Sequence, residues 1–146
     1  MTEADLPRVA ELSEELGYPG PFAELQARFH LLGKDGNSGL FVAERDGAVI
    51  AFLQVGVRVP LESPVHAEVL ALSVTSAARR SGAGRALCER AVSFTRERGI
   101  ASLRVRSSVA RDVSHVFYAE LGFKRTKTQH VYALPCPARR PRYLTG

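Results

Sequence analysis

The alternation of apolar and polar positions predicts two helices at the start of the chain. Apolar residues recur at helical spacing over residues 6–16 and again over 22–32. Gly17 ends the first pattern, and Pro19 and Pro21 prevent the helix from continuing. We therefore expect two short helices separated by a turn.

Three strands are predicted next. After a loop at 33–39, two β-rich runs at 40–45 and 48–57 are joined by Asp-Gly at 46–47, a pair typical of tight hairpins. A third apolar, β-branched run occupies 67–75. Three consecutive antiparallel strands are expected.

A second kind of connection follows the third strand. A helical pattern runs over 82–98 and stops at Gly99, and residues 100–106 then alternate between apolar and polar. A strand, a helix and a strand form a right-handed crossover, so the strands at 67–75 and 100–106 should be parallel neighbours.

The elements predicted after residue 106 are shorter and more polar than those before it. A short helix should end at Gly122, and residues 124–126 and 129–134 are interpreted as two closing strands. Residues 135–146 are rich in Pro and Arg and lack periodicity. This tail is expected to be a loose terminus, and the alternative is that it packs on a partner subunit in a homodimer.

Composition fits one folded domain. The chain has 146 residues, 45% of them hydrophobic and 24% charged. No apolar run approaches the roughly 20 residues that cross a bilayer, and the acidic start lacks the features of a signal peptide. We expect a cytoplasmic protein without a membrane partner. Cys88 and Cys136 show no metal-binding spacing and should be free thiols.

The net charge of +5 agrees with a phosphate-rich ligand. The basic residues are scattered, and aromatic residues do not interleave with them as nucleic-acid stacking requires. Nucleic acid is therefore not the expected partner.

The segment after the third strand has the features of a phosphate-binding turn. A helix N-terminus presents unpaired N–H groups and a partial positive charge. Gly82 and Gly84 allow close approach of an anion to the backbone, and Arg79, Arg80 and Arg85 surround them with positive charge. A pyrophosphate fits such a turn.

Two common phosphate loops are excluded. Arg85 and Ala86 stand where a P-loop needs Lys and Ser or Thr, and Leu87 stands where the dinucleotide fingerprint needs its third glycine. The remaining pattern, Arg-x-x-Gly-x-Gly directly after a strand, resembles the GNAT superfamily of acetyl-CoA-dependent N-acetyltransferases.

A second segment supports the same resemblance. Residues 117–123 read Phe-Tyr-Ala-Glu-Leu-Gly-Phe, similar to a GNAT segment found about a helix and a strand after the phosphate turn. The resemblance implies a mixed α/β (α+β) fold, with a mostly antiparallel sheet, a splayed parallel pair and helices on both faces. GNAT chains usually begin with a strand before their first helix, whereas this sequence starts at the helix; either the strand is absent from this protein or the given sequence does not include it. A single domain is expected over 1–134.

The resemblance also implies acetyl-CoA as co-substrate, with no metal. The pantetheine arm would add to exposed backbone of the third strand, and backbone N–H groups there would polarise the thioester carbonyl. Arg111 stands where many relatives have Asn, and it is either a phosphate contact or a solvated side chain. The cofactor residues implied are Leu72, Ser73, Val74, Arg79, Arg80, Ser81, Gly82, Ala83, Gly84, Arg85 and Arg111.

Two side chains match catalytic positions of the family. Glu68 would be the general base that takes the amine proton, and the alternative is a solvated or salt-bridged strand residue. His66 shares its face under strand periodicity and could relay the proton, although a surface histidine at a strand start is the plainer interpretation. Tyr118 would protonate the leaving thiolate, and its alternative is a packed aromatic residue.

The implied reaction is acetyl transfer to a primary amine by direct attack in a ternary complex. The acceptor site would be built from the first two helices and their link at 16–20, together with the loop 60–65 and the turn 126–130. Small amines resembling aminoglycosides or aminoalkylphosphonates are the first class of substrate, and a peptide N-terminus or lysine is the second. The rival function is a non-catalytic acyl-CoA-binding regulatory or interaction module.

Overall fold

The computed structural model describes residues 1–137, 140 and 142. The chain consists of two compact units, Met1–Val105 and Arg106–Gly146. The second unit contains helix α4 (Asp112–Glu120). The first unit contains, in chain order, a 3₁₀ turn at Glu3–Asp5, α1 (Leu6–Glu15), α2 (Phe22–Leu32), β1 (Ser38–Arg45), β2 (Ala48–Arg58), β3 (His66–Val74), a 3₁₀ turn at Ser76–Ala78, α3 (Ala83–Glu97) and β4 (Leu103–Val105).

The four strands form one mixed sheet in the order β1-β2-β3-β4. β1, β2 and β3 pair antiparallel, and β4 joins β3 in parallel, as the sequence predicts. Asp46 and Gly47 both have positive φ, 53° and 78°, which is the backbone of a type I′ hairpin turn. The sheet begins with Ser38–Arg45, which confirms that its first strand follows the two helices.

Helices cover both faces of this sheet. Phe41 and Val42 are consecutive in β1, so their side chains point to opposite faces. The Phe41 ring meets Phe94 of α3 edge to face at 6.4 Å. Val42 packs instead against the cluster that contains Val9 and Leu12 of α1. α1 and α3 therefore bury opposite sides of the same strands.

A bulge in β3 marks the place where the parallel pair separates. Gln54 pairs with Ala71 and Val55 pairs with Val69, which leaves Leu70 as an extra residue in β3. The ladder between β3 and β4 consists of the pairs from Ala67–Leu103 to Val69–Val105. The parallel pairing thus stops next to the bulge, and this is the splay expected from the family resemblance.

Three sequence-based predictions need correction. The strand expected over 100–106 is limited to Leu103–Val105, and the loop expected over 33–39 is shortened because β1 starts at Ser38. The two closing strands expected at 124–126 and 129–134 are wrong, because these residues are in neither strand nor helix.

The apolar side chains of the last segment explain the failure of that prediction. Val131, Tyr132 and Leu134 are 85%, 90% and 84% exposed. An alternating sequence forms a strand only where it pairs and buries one face, and this segment does neither. Much of the predicted tail (138–139, 141 and 143–146) lies outside the described residues. Among the described residues, no helix is both long and apolar enough to span a bilayer.

Candidate active site

The segment between β3 and α3 forms an exposed turn that ends in an open helix N-terminus. Gly82 is the N-cap of α3 with φ 87°, a left-handed conformation that glycine adopts without a steric penalty. Having no side chain, it offers no cap of its own to the first turn. The Ser81 hydroxyl accepts a 3.4 Å hydrogen bond from the Ala83 N–H. An anion at this end would meet backbone donors and the positive end of the helix dipole.

Three arginines lie in or next to this turn. Arg79 and Arg80 precede Gly82, Arg85 lies in the first turn of α3, and all three side chains are exposed. Arg80 has φ 64°, which is unusual for a residue with a long side chain. Ala83 and Gly84 are buried, so they seat the helix against the sheet while the basic side chains remain in solvent.

The end of β3 supplies the predicted backbone edge. Leu72, Ser73 and Val74 pair with Leu53, Phe52 and Ala51 of β2. On the other side of β3, the ladder with β4 stops at Val69, before these residues. Residues 70–74 of β3 therefore lie beyond the end of the ladder with β4.

Glu68 lies on the same strand, close to the bulge. It is 7% exposed, and its Oε2 lies 3.4 Å from Nε of Arg58 at the end of β2. Arg104 of β4 is its partner in the parallel ladder. A buried carboxylate needs charged or hydrogen-bonding neighbours, and this site provides them. Glu68 is a salt-bridged strand residue, and its role as a base stays a prediction.

His66 shares the face of Glu68, because it precedes that residue by two positions in the strand. It is 6% exposed, and its Nδ1 lies 3.3 Å from the carbonyl oxygen of Pro64. The interpretation of His66 as a surface histidine is wrong, since the ring is buried and hydrogen-bonded within the loop that precedes β3.

Tyr118 and Arg111 belong to the second compact unit. The Tyr118 ring is half-buried and packs edge to face with Phe117 and Phe123, at centroid distances of 5.2 and 5.7 Å. Arg111 is exposed at the N-cap of α4. Their roles in proton donation and cofactor binding stay predictions.

The two cysteines are free thiols. Burial of Cys88, followed by the negative charge of Glu89, raises the pKa of its thiol to about 11. A thiol with this pKa is protonated at neutral pH and is a poor nucleophile. Cys136 is exposed in the segment after α4. Across residues 1–137, 140 and 142, no three His, Cys, Asp or Glu side chains are grouped to hold a metal ion.

The sequence missed two features of this site. The bulge at Leu70 is reflected in the sequence by the unbroken apolar run Val69-Leu70-Ala71-Leu72, which does not follow the two-residue period of a strand. The contact of Arg58 with Glu68 has no sequence signal, because it depends on the register of two strands.

Solved structures with this fold include several acetyltransferases. Aminoglycoside 6'-N-acetyltransferase AAC(6')-IG from Acinetobacter haemolyticus superimposes with a TM-score of 0.81 at 21% identity, over 94% of this chain and 97% of that chain. AAC(6')-Iy in complex with a bisubstrate analog, CoA-S-monomethyl-acetylneamine, gives 0.83 at 19% identity, over 93% and 95%. A transcriptional regulator from Bacillus halodurans gives 0.80 at 27% identity, over 92% and 96%.

No curated protein matches the chain at a significant level. The family model described as acetyltransferase (GNAT) family matches residues 7–123, which include β3, the basic turn, α3 and α4. The chain therefore belongs to the GNAT family of acetyltransferases.

Proposed function

We propose that the protein is an N-acetyltransferase that moves an acetyl group from acetyl-CoA to a primary amine by direct attack in a ternary complex. The observation that carries this proposal is the continuity of β3, which places a buried carboxylate at Glu68, an open backbone edge at 70–74 and a basic helix N-terminus in one unbroken stretch.

The residues of this stretch fit the parts of acetyl-CoA. The first turn of α3 and the arginines at 79, 80 and 85 would hold the diphosphate. The backbone of Leu72 and Val74 would pair with the amides of the pantetheine arm. Bound in this way, acetyl-CoA supplies an acyl group activated as a thioester.

Acetyl transfer requires a proton acceptor and a proton donor. Glu68 takes the proton of the amine, directly or through water, as the amine nitrogen bonds to the acyl carbon. The carbon–sulfur bond then breaks, and the thiolate takes a proton from the Tyr118 hydroxyl. Backbone N–H groups at 72–74 stabilise the negative charge that develops on the carbonyl oxygen. The role of Tyr118 rests on the family resemblance.

The state of Cys88 supports direct attack. An acyl-enzyme route needs an activated nucleophile, and the Cys88 thiol is buried and protonated at neutral pH. We therefore propose that the amine attacks the thioester itself.

Small amines are the proposed acceptors, with aminoglycosides and aminoalkylphosphonates first and a peptide N-terminus or lysine second. The link 16–20 between α1 and α2 is the proposed acceptor region, where Gly17 has φ 100° and Tyr18 is 70% exposed. A surface turn with an exposed aromatic ring is suited to contact with a substrate.

Release of CoA thiol from acetyl-CoA tests the proposal. The panel contains neamine, aminomethylphosphonate and a lysine peptide with a free N-terminus, each compared with a reaction lacking amine. We expect one amine to raise thiol release well above that background. If calorimetry shows CoA binding while no amine stimulates release, the rival function of a non-catalytic acyl-CoA-binding module is supported instead.

A further inference from the structure

We propose that Arg58 is a positioning residue for acetyl transfer, because its guanidinium fixes the orientation of the Glu68 carboxylate. This inference rests on the proposed function, in which Glu68 accepts the amine proton. Arg58 lies ten positions before Glu68 on a different strand, outside every motif of the sequence.

The register of β2 and β3 brings the two side chains together. Arg58 pairs with His66, and Gly56 pairs with Glu68. Residues two apart in a strand share a face, so Arg58 lies diagonally across from Glu68 on one side of the sheet. The direct cross-strand partner of Glu68 is a glycine and supplies no side chain. The Arg58 side chain reaches across this position and places Nε 3.4 Å from Oε2.

Burial makes this contact important for the orientation of the carboxylate. The Glu68 side chain is 9% exposed, whereas the Arg58 side chain is 49% exposed. A glutamate side chain has three rotatable bonds, and a planar guanidinium with five N–H donors restricts the carboxylate better than water does. Arg58 thus reaches in from solvent to hold one oxygen of a largely buried acid.

The location of the pair connects it to the reaction. Glu68 lies two residues before the bulge at Leu70, where the ladder between β3 and β4 has just ended. A Cβ added to Gly56 would meet Cδ1 of Leu70 at 3.2 Å, so little spare room exists on this face. A base must lie within hydrogen-bonding reach of the proton that it removes, and rotation of the carboxylate by one rotamer would end that reach.

A double-mutant cycle separates positioning from a merely structural role. In the wild-type background, we expect Arg58→Gln to lower kcat roughly 10-fold and to leave KM for acetyl-CoA within about 2-fold. Arg58→Lys keeps the positive charge but loses the planar guanidinium, so kcat of this variant should lie between those of Arg58→Gln and the wild type. In a Glu68→Gln background, Arg58→Gln should change kcat by less than about 2-fold, since the group that it positions is gone.

Arg90→Gln on α3 is the matched control. Arg90 forms an ion pair with Glu97 at 3.3 Å and has a side chain 44% exposed, so the variant removes the same charge from an arginine of similar exposure. It should leave kcat unchanged. All variants are assayed with the best amine of the panel, and circular dichroism melting verifies that each is folded.

The possible failures are distinguishable. The positioning role is overturned if Arg58→Gln lowers kcat in the Glu68→Gln background by the same factor as in the wild-type background. It is also overturned if Arg58→Gln leaves the wild-type kcat unchanged. In both cases the proposed function stands. If Glu68→Gln alone leaves kcat unchanged, the base assignment fails and the role of Arg58 fails with it.

Discussion

The hydroxyl of Ser73 donates a buried 3.0 Å hydrogen bond to the carbonyl oxygen of Leu12. This bond fastens α1, which leads into the proposed acceptor link, to the strand that we assign to the cofactor. The carboxylate of Glu15 adds two contacts to the next residues, with the Thr75 hydroxyl at 3.2 Å and the Ser76 N–H at 3.3 Å. The proposed acceptor and cofactor elements are therefore joined directly.

Ser73→Ala should destabilise the fold modestly. A buried hydrogen bond contributes about 0.5–1.5 kcal/mol net. The lower half of that range is expected, because the Leu12 carbonyl also accepts the Leu16 N–H at 3.1 Å. Urea unfolding measures the change. The control is Ser93→Ala on α3, where an exposed hydroxyl bonds the Glu89 carbonyl of its own helix. An equal loss in both variants would contradict the role given to the Ser73 contact.

Arg80→Asn tests the charge of the turn without altering its backbone. Asn tolerates the left-handed conformation that Arg80 adopts at φ 64°, so stability should change little. Loss of one charge near the diphosphate should weaken CoA binding roughly 3-fold to 10-fold at low salt, and less at high salt. Calorimetric titration with CoA measures this. Arg96→Gln, in the last turn of α3, is the control, and an equal effect there would contradict a local role for Arg80.

Cys88 should be inert at neutral pH. Burial raises the pKa of its thiol from 9.0 to about 11, so the folded state favours the protonated form. The stability that this supplies is fully present below pH 9.0 and is lost as the pH rises through about 11. Unfolding measured against pH should show this alkaline loss, and Cys88→Ala should reduce it. The variant should keep its acetyl-transfer rate within about 2-fold, and a large loss of rate would favour a covalent intermediate.

Gly39 is required by close packing. A Cβ built there would lie 2.7 Å from the Phe41 ring, 2.9 Å from Phe94 and 2.9 Å from Val55. Gly39→Ala should therefore cost about 1–3 kcal/mol, since the core on the α3 face must shift. Gly20→Ala is the matched control, because a Cβ there meets nothing within 4 Å. Thermal unfolding of both variants checks the difference, and equal melting temperatures would contradict this view of the packing.

Local signals predicted most of the first unit. The Asp-Gly pair at 46–47 predicted the hairpin between β1 and β2. Gly82 and Gly99 flank α3 in the structure, as the sequence pattern predicted. The bulge at Leu70 has a local signal that was missed, an apolar run that breaks the two-residue period of a strand. The contact of Arg58 with Glu68 depends on the register between two strands, which no local pattern specifies.

The same limit explains the wrong strand at 129–134. An alternation of apolar and polar residues indicates a preference for strand, but pairing and burial decide whether the strand forms. Val131, Tyr132 and Leu134 remain exposed.

The turnover of Glu68→Gln tests the central claim most directly. Gln keeps the size of the side chain but cannot accept the amine proton, and general base catalysis contributes typically 10²–10⁴-fold. With the best amine of the panel, we predict a loss of kcat of about 100-fold or more, while CoA binding measured by calorimetry stays within about 2-fold of wild type. A variant that binds CoA and turns over at the wild-type rate would contradict the account.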